Sequence, residues 1–409
     1  MHARLLQVAR VAARGAVLSA ALACSSCDSD SDEEDYGPPP PLKERGALFD
    51  RIARPRRLLV GLGNDLPGAE KNFDTKQAHV FGLPATLDIH YVYLSGLKGE
   101  MGKDGPGWPE YEPGAPDGAF VTRIANDAAE KDIVPMFTLY QVAARGEQRF
   151  DLLVEDDFIT KYWAGVRILF EKLAVFGKPT IVHLEPDFWG FAQRHGDDDP
   201  AKTPVTVKSK VSECNDLPDD VSGMGKCFVR LARTLAPNVT LGFHASGFGN
   251  YDRPKAIAKF LVDIGAYDAD FIAVDTLDRD AGCFEARVDP LCQRVDGLVY
   301  WDDTNRSRPT FKEHFDWVKT IHERTGLPVL WWQTPLGVPN DAPGGVAKKY
   351  RDNRVKYFFE HPNDLVEAGG FGMAFGTGAP NQTDVTTDNG QFASAVTKYY
   401  ASPLAITSP

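Results

Sequence analysis

Thr180–Gly190 reads TIVHLEPDFWG and holds the densest set of proton-handling groups in the chain. Glu185 and Asp187 stand two residues apart, with His183 before them and Trp189 after. Paired acids suit acid–base work, because different surroundings give two carboxyls different proton affinities. An indole beside them offers a flat apolar face to a sugar ring. The β-branched and apolar run Thr180–Leu184 predicts a strand. Alternation puts His183, Glu185 and Asp187 on one side and Val182 and Leu184 on the other. Pro186 cannot donate to a ladder, so the strand is expected to stop there, with Phe188 and Trp189 on the loop that follows.

Similar mixtures follow other strand-like runs. Tyr140 and Gln141 close one, His244 closes another, and Trp332 and Gln333 a third. Asp275 directly follows the apolar run Phe271–Val274, where an acid needs a reason to be present. Asp278 and Asp280 flank Arg279 and read equally well as a structural ion pair. Trp331 and Trp332 are adjacent, so one faces each way and at least one is core. His90, His183 and His244 are each as readable as satisfied core histidines. Together these residues suit a sugar site: carboxylates handle the proton and the oxocarbenium charge, aromatic faces stack, and amides and imidazoles bond hydroxyls. Asp187, Glu185 and Asp275 are the catalytic candidates. Tyr140, Gln141, His183, Trp189, His244, Asp278, Trp332 and Gln333 are the substrate-binding candidates. No cofactor and no metal are assigned. The alternatives are a metal-dependent hydrolase built on His90, His183, Glu185, His244 and Asp275, and a carbohydrate-binding barrel without chemistry.

These groups need a scaffold that brings strand ends together. Strand-like runs occur at Arg57–Gly63, Leu87–Leu94, Val134–Tyr140, Thr180–Glu185, Val239–Ser246, Phe271–Leu277, Val329–Gln333 and Gly372–Thr377. Amphipathic stretches lie between them, including Gly118–Lys131, Asp156–Phe176, Met224–Leu235, Lys255–Gly265, Thr310–Thr325 and Lys349–His361. Eight strands alternating with helices predict an α/β fold, a single-domain (β/α)8 TIM-type barrel over 51–409. The connection from strand one to strand two is the least helical, so an open or distorted barrel is the alternative. Long Gly/Pro/aromatic-rich segments follow strands two, four, six and seven, at Ser95–Pro116, Asp187–Gly223, Asp278–Thr304 and Thr334–Gly345. They lie beyond strand C-termini, where barrel enzymes keep their active sites.

Residues 1–24 read as an export signal: Arg4, Arg10 and Arg14 precede the short apolar run Gly15–Ala23. Ala21-Leu22-Ala23-Cys24 resembles a bacterial lipobox, with Ala21 where leucine is usual, which implies a lipid anchor on Cys24. Ordinary secretion is the alternative, and both place the protein outside the cytoplasm. Residues 25–50, with Asp28–Asp35 and Pro38–Pro41, read as a disordered acidic and proline-rich tether. Cys214 with Cys227, and Cys283 with Cys292, are spaced as two local disulfides. The net charge of −12, without a basic stripe, argues against a nucleic-acid partner. The expected partner is a carbohydrate, the membrane is met only through a lipid anchor, and the chain is expected to be a monomer.

The Glu185-Pro186-Asp187 triplet after an apolar strand resembles the family-6 cellulases. Phe137–Glu147 (FTLYQVAARGE) and Leu241–Gly249 (LGFHASGFG) are weaker echoes in the same order. The resemblance spans roughly residues 134–250 and implies that Asp187 is the catalytic acid. The upstream loop carries Gln141 and Val142 where that family has a second aspartate, and no C-terminal acidic motif matches. That family's barrel has fewer strands. The reading is therefore a glycoside hydrolase with Asp187 as acid, its proton affinity raised by burial and by repulsion from Glu185. Asp275 is the second carboxylate, with Asp278 and Asp280 behind it. Gln333 and Thr334 hold the strand-seven position where many retaining barrels place a glutamate.

Overall fold

Eight short strands, buried on both faces, build the frame. A computed structural model describes residues 36–66, 75–102, 105–248, 251–287, 289–293, 299–339 and 345–407. The export segment and the acidic run of the tether lie outside them. Residues Pro38–Pro409 form one compact unit. The strands are β1 (Leu59–Gly63), β2 (Ile89–Ser95), β3 (Val134–Tyr140), β4 (Thr180–Leu184), β5 (Val239–Ala245), β6 (Phe271–Val274), β7 (Val329–Thr334) and β8 (Gly370–Gly376). Each pairs in parallel with the next, and β8 pairs with β1 to close the barrel. All eight expected strands are present, within a few residues of their expected ends.

The helices are α1 (Arg45–Arg51), α2 (Ala119–Glu130), α3 (Asp156–Phe176), α4 (Phe188–His195), α5 (Val221–Leu235), α6 (Pro254–Asp263), α7 (Ala281–Ala286), α8 (Phe311–Thr325), α9 (Arg354–Glu360), α10 (Pro362–Glu367) and α11 (Gln391–Ala401). Their limits follow local chemistry. The Glu155 carboxylate caps α3 by accepting from the N–H groups of Asp157 and Phe158, and Gly177 ends it at φ 68°. Thr310 and Glu313 form a capping box on α8. Between β1 and β2 the described residues hold only short 3-10 turns, Thr75–Gln77 and His79–Gly82. The barrel closes there all the same, with Gly61, Leu62 and Gly63 opposite Ile89, His90 and Tyr91. This is a closed (β/α)8 barrel, and the open alternative does not hold.

Inward positions carry Leu59, Ile89, Tyr91, Met136, Ile181, Phe271, Leu330 and Trp332, in one buried cluster. Outward positions such as Val182, Leu184, Leu241, Phe243, Val274 and Trp331 pack under the helices in another. Two expectations need correction. The tether does not reach residue 50: Leu48 and Phe49 of α1, with Ile52 just after it, join the inward cluster. Their burial stabilises an ordered helix where proline content and charge suggested a coil. The segment after β4 is not all loop, because Phe188 and Trp189 begin α4. The Cys214–Cys227 and Cys283–Cys292 disulfides are both formed. Among the described residues no helix is long and apolar enough to cross a membrane.

Candidate active site

The C-terminal mouth of the barrel gathers the titratable groups, and its backbone is unusual. Glu185 (φ 41°), Asp187 (φ 69°), Leu277 (φ 74°) and Gln333 (φ 53°) all adopt positive φ just beyond or at the ends of β4, β6 and β7. Side-chain-bearing residues rarely sit there, and each costs roughly 1–3 kcal/mol. Such strain clusters where geometry serves function.

At Glu185 the turn reverses the expected alternation. Its side chain leaves the barrel interior and meets α3. The carboxylate accepts from Tyr162 Oη at 2.9 Å, the Gln141 N–H at 3.2 Å and the Val142 N–H at 3.1 Å. It is fully buried, and burial pushes its carboxyl up to about 8 despite those three donors. Glu185 therefore fastens the loop after β3 and stands apart from the mouth.

Asp187 turns the other way. It occupies the N-cap position of α4 without capping it, and its half-buried carboxyl has no hydrogen-bonding partner among the described residues. Burial pushes it up to about 7; the electrostatic pull of His244 opposes, and Asp275, Asp278 and Glu147 push it further. The expected repulsion from Glu185 is replaced by that of these three acids, because Glu185 faces α3.

Asp275 lies opposite in character. Burial raises its proton affinity, but the hydrogen bond and electrostatic pull of His244, the pull of His314 and the Leu277 N–H more than offset it. The carboxyl is held below the ordinary range. His244 Nε2 is 3.5 Å from Asp275 Oδ1, and His244 Nδ1 is 3.0 Å from His183 Nε2. His183 Nδ1 is in turn 3.3 Å from Thr138 Oγ1. The chain climbs across β3, β4, β5 and the end of β6. Thr138 stands opposite His183, and His244 and Asp275 each lie two residues above the neighbour's partner, Gly242 and Ala273. That step is the stagger of a closed barrel.

Trp332 forms the floor, with ring centroids 4.8 Å from His183, 5.6 Å from His244 and 5.5 Å from Tyr93. Trp331 faces outward and donates from Nε1 to His314 Nε2 at 2.8 Å, as adjacency required of one of the two indoles. Gln333 accepts from Tyr93 Oη and donates to the Thr377 carbonyl at 3.1 Å. Tyr140 donates to the exposed Glu147. Asp278 pairs with Arg279 at 2.6 Å; burial first, then Asp275, pushes its carboxyl up to about 6 against the pull of Arg279.

Other candidates fall elsewhere. Trp189 is 1% exposed, donates to the Leu184 carbonyl at 3.0 Å and packs on Phe188, Phe228 and Phe243, so its faces belong to the core behind β4. Gln141 is buried behind β3, accepting from Trp108 Nε1 and donating to the Tyr162 carbonyl at 3.3 Å. Asp280 is buried among the loops after β6 and β8, where it accepts from the Thr383 N–H at 2.7 Å. His90 faces outward and meets Asp65 at 2.8 Å. With His90 and Glu185 both turned away, the five residues of the metal alternative do not converge. Among the described residues no group of three or more His, Cys, Asp or Glu is arranged to hold a metal.

Sequence reasoning passed over Tyr93, Thr138 and Glu147. Tyr93 and Thr138 were within reach of simple alternation, each two residues beyond an inward Tyr91 or Met136. Glu147 gave no comparable signal, since a loop sets its position.

No family model and no curated protein matches the chain. Solved structures similar to it include an endo-1,4-β-D-mannanase from Thermotoga petrophila, at 12% identity over 84% of this chain and 99% of that one, with a TM-score of 0.44. A GH18 chitinase from Pseudoalteromonas aurantia has 10% identity over 83% and 99%, with a TM-score of 0.43. A psychrophilic family-10 endo-β-1,4-xylanase has 12% identity over 81% and 88%, with a TM-score of 0.42. At such values the likeness carries no argument, and the fold class rests on the strand pairing. Nothing here supports the family-6 cellulases, and the closed eight-stranded barrel departs from that family's smaller one.

Proposed function

We propose that the protein is a glycoside hydrolase acting on a polysaccharide or oligosaccharide, with Asp187 as general acid and Asp275 as its carboxylate partner. One observation carries the reading: two acids at one barrel mouth have opposite proton affinities. Asp187, raised to about 7, holds a proton to give to the departing glycosidic oxygen. Asp275, lowered, is ionised and faces the developing positive charge at the anomeric carbon, as nucleophile or as base on water. Among the described residues Asp187 has no hydrogen-bonding partner to surrender before it meets substrate, whereas Glu185 has three donors and is better suited to holding the loop.

Trp332, Tyr93 and Tyr140 provide aromatic surface at the floor and wall, and Gln333, His244 and Asp278 provide polar groups toward sugar hydroxyls. The substrate is a carbohydrate, not a nucleic acid. The two disulfides support a place outside the cytoplasm. A lipid anchor on Cys24 and a monomeric chain complete the proposal. Release of reducing ends from a panel of polysaccharides tests it. Cleavage by the wild type, lost in Asp187→Asn and in Asp275→Asn without loss of fold, is the expected result. Undiminished turnover in Asp187→Asn removes it from the acid role.

A further inference from the structure

We infer that His183 and Thr138 are positioning residues that act through His244 to keep Asp275 ionised. The inference rests on the reading of Asp275 given above for its catalytic meaning, but its physical content stands apart from it.

Three polar contacts link Thr138, His183, His244 and Asp275 in one line, at 3.3, 3.0 and 3.5 Å. Thr138 and His183 are fully buried and His244 is 1% exposed, so water does not compete for the ring nitrogens. Burial, then the neighbouring His244, holds His183 far below its ordinary proton affinity, so it is neutral with a single ring N–H. That fixes the direction of the line. Thr138 Oγ1 donates to His183 Nδ1. His183 Nε2–H donates to His244 Nδ1. His244 is left with its proton on Nε2, directed at the Asp275 carboxylate. With one proton on His244, every donor meets an acceptor in this arrangement alone if Asp275 is charged. Reversing it leaves a lone pair of His244 facing a carboxylate, which favours the protonated acid. The Trp332 ring, edge-on to both imidazoles, holds them in place.

Other groups act on Asp275 too. His314 from α8 and the Leu277 N–H favour its charge. Asp187 and Asp278 oppose it, and Arg279 neutralises part of Asp278. The line through His183 reaches Asp275 by direct polar contacts, whereas His314 acts on it from α8 behind β7.

The test is titration of the Asp275 carboxyl by 13C NMR, with the His244 tautomer read from 15N shifts, in wild type, His183→Leu, His183→Gln and Thr138→Val. His183→Leu removes the donor to His244 Nδ1 and is expected to raise the Asp275 midpoint by about one pH unit or more, with His244 moving its proton to Nδ1. Glutamine keeps a donor and an acceptor and is expected to restore most of the wild-type value. Thr138→Val, nearly isosteric, gives a smaller rise and serves if His183→Leu fails to fold. In activity, the acidic limb of the kcat/KM profile moves up by the same amount while KM changes little. An unmoved midpoint and tautomer in the folded variants overturns the inference. A moved midpoint in a protein that cleaves no glycan leaves the inference standing and removes the hydrolase reading.

Discussion

The two ends of the barrel are built on different terms. At the N-terminal end Phe49 of α1 packs on Phe371, with ring centroids 6.5 Å apart, and Phe371 on Phe271 at 5.6 Å. All three rings are fully buried, with Ile52 beside them. The acids at that end are tied into ion pairs, Asp88 with Arg57 and Asp270 with Arg233, and positive φ falls at turns outside the strands, such as Ala53 and Asp132. At the C-terminal end the chain accepts positive φ at Glu185, Asp187, Leu277 and Gln333, and buries acids whose proton affinities differ from their ordinary values in both directions. One end stabilises and the other gives up stability, for chemistry on the proposed reading. A residue's value is therefore measured differently at each end.

Substitutions can break that contrast. The largest expected effect is on turnover at the mouth: Asp187→Asn lowers kcat by about 10²–10⁴-fold, the range of general acid catalysis, without loss of folded protein in thermal melts. At the opposite end Phe49→Ala is expected to cost about 3–5 kcal/mol in denaturant unfolding while kcat below the transition stays near wild type. Equal damage to kcat in the Phe49 variant would erase the distinction between the ends.

The pH dependence sharpens it. Glu185, Asp187 and Asp280 are raised to about 8, 7 and 8 from ordinary values of 4.5, 3.8 and 3.8. The folded protein then holds protons that the unfolded chain releases, so stability falls as pH rises from about 4 towards 8. Asp275 and Asp65, both lowered, contribute in the opposite sense, and that stability is lost only as pH falls through their depressed values. Melting temperature is accordingly highest at mildly acidic pH. Asp280→Asn tests one contributor. Its Oδ2 accepts from the Thr383 N–H, a bond asparagine keeps, and its buried Oδ1 has no partner among the described residues. The variant is expected to be more stable than wild type at pH 8, by about 1 kcal/mol, and no more stable at pH 4. Activity follows its own window: Asp275 must be ionised and Asp187 protonated, so kcat/KM holds through mildly acidic pH and falls above about 7. The smallest expected effect is at the rim. Glu147→Gln removes a negative charge near Asp187 and moves the alkaline limb slightly downward, by about half a pH unit or less.

The barrel was legible because its signal is periodic. Val134–Tyr140 and Asp156–Phe176 were found to the residue, since alternation and capping residues mark such elements directly. Trp331 and Trp332 divided between the two faces for the same reason. The site was legible only up to the strand ends. His183, His244 and Asp275 sit where period two places them, whereas Glu185 and Gln333 follow backbone turns that their residue types do not announce. Glu185-Pro186-Asp187 looked like one acidic pair and is two acids facing opposite ways. Trp189 looked like a sugar platform because it follows the acids; the helix that begins at Phe188 turns it into the core. Glu147 reaches the mouth by way of a loop, for which no pattern exists.

The central claim is that Asp187 and Asp275 divide proton donor and carboxylate roles at one mouth. Its most direct measurement is the kcat/KM–pH profile of reducing-end release for wild type, Asp187→Asn and Asp275→Asn on whichever polysaccharide the wild type cleaves. The expected wild-type profile is bell-shaped with an alkaline limb near pH 7, and the Asp187 variant retains a small residual rate without that limb. An Asp187 variant that keeps the wild-type rate and its alkaline limb contradicts the account.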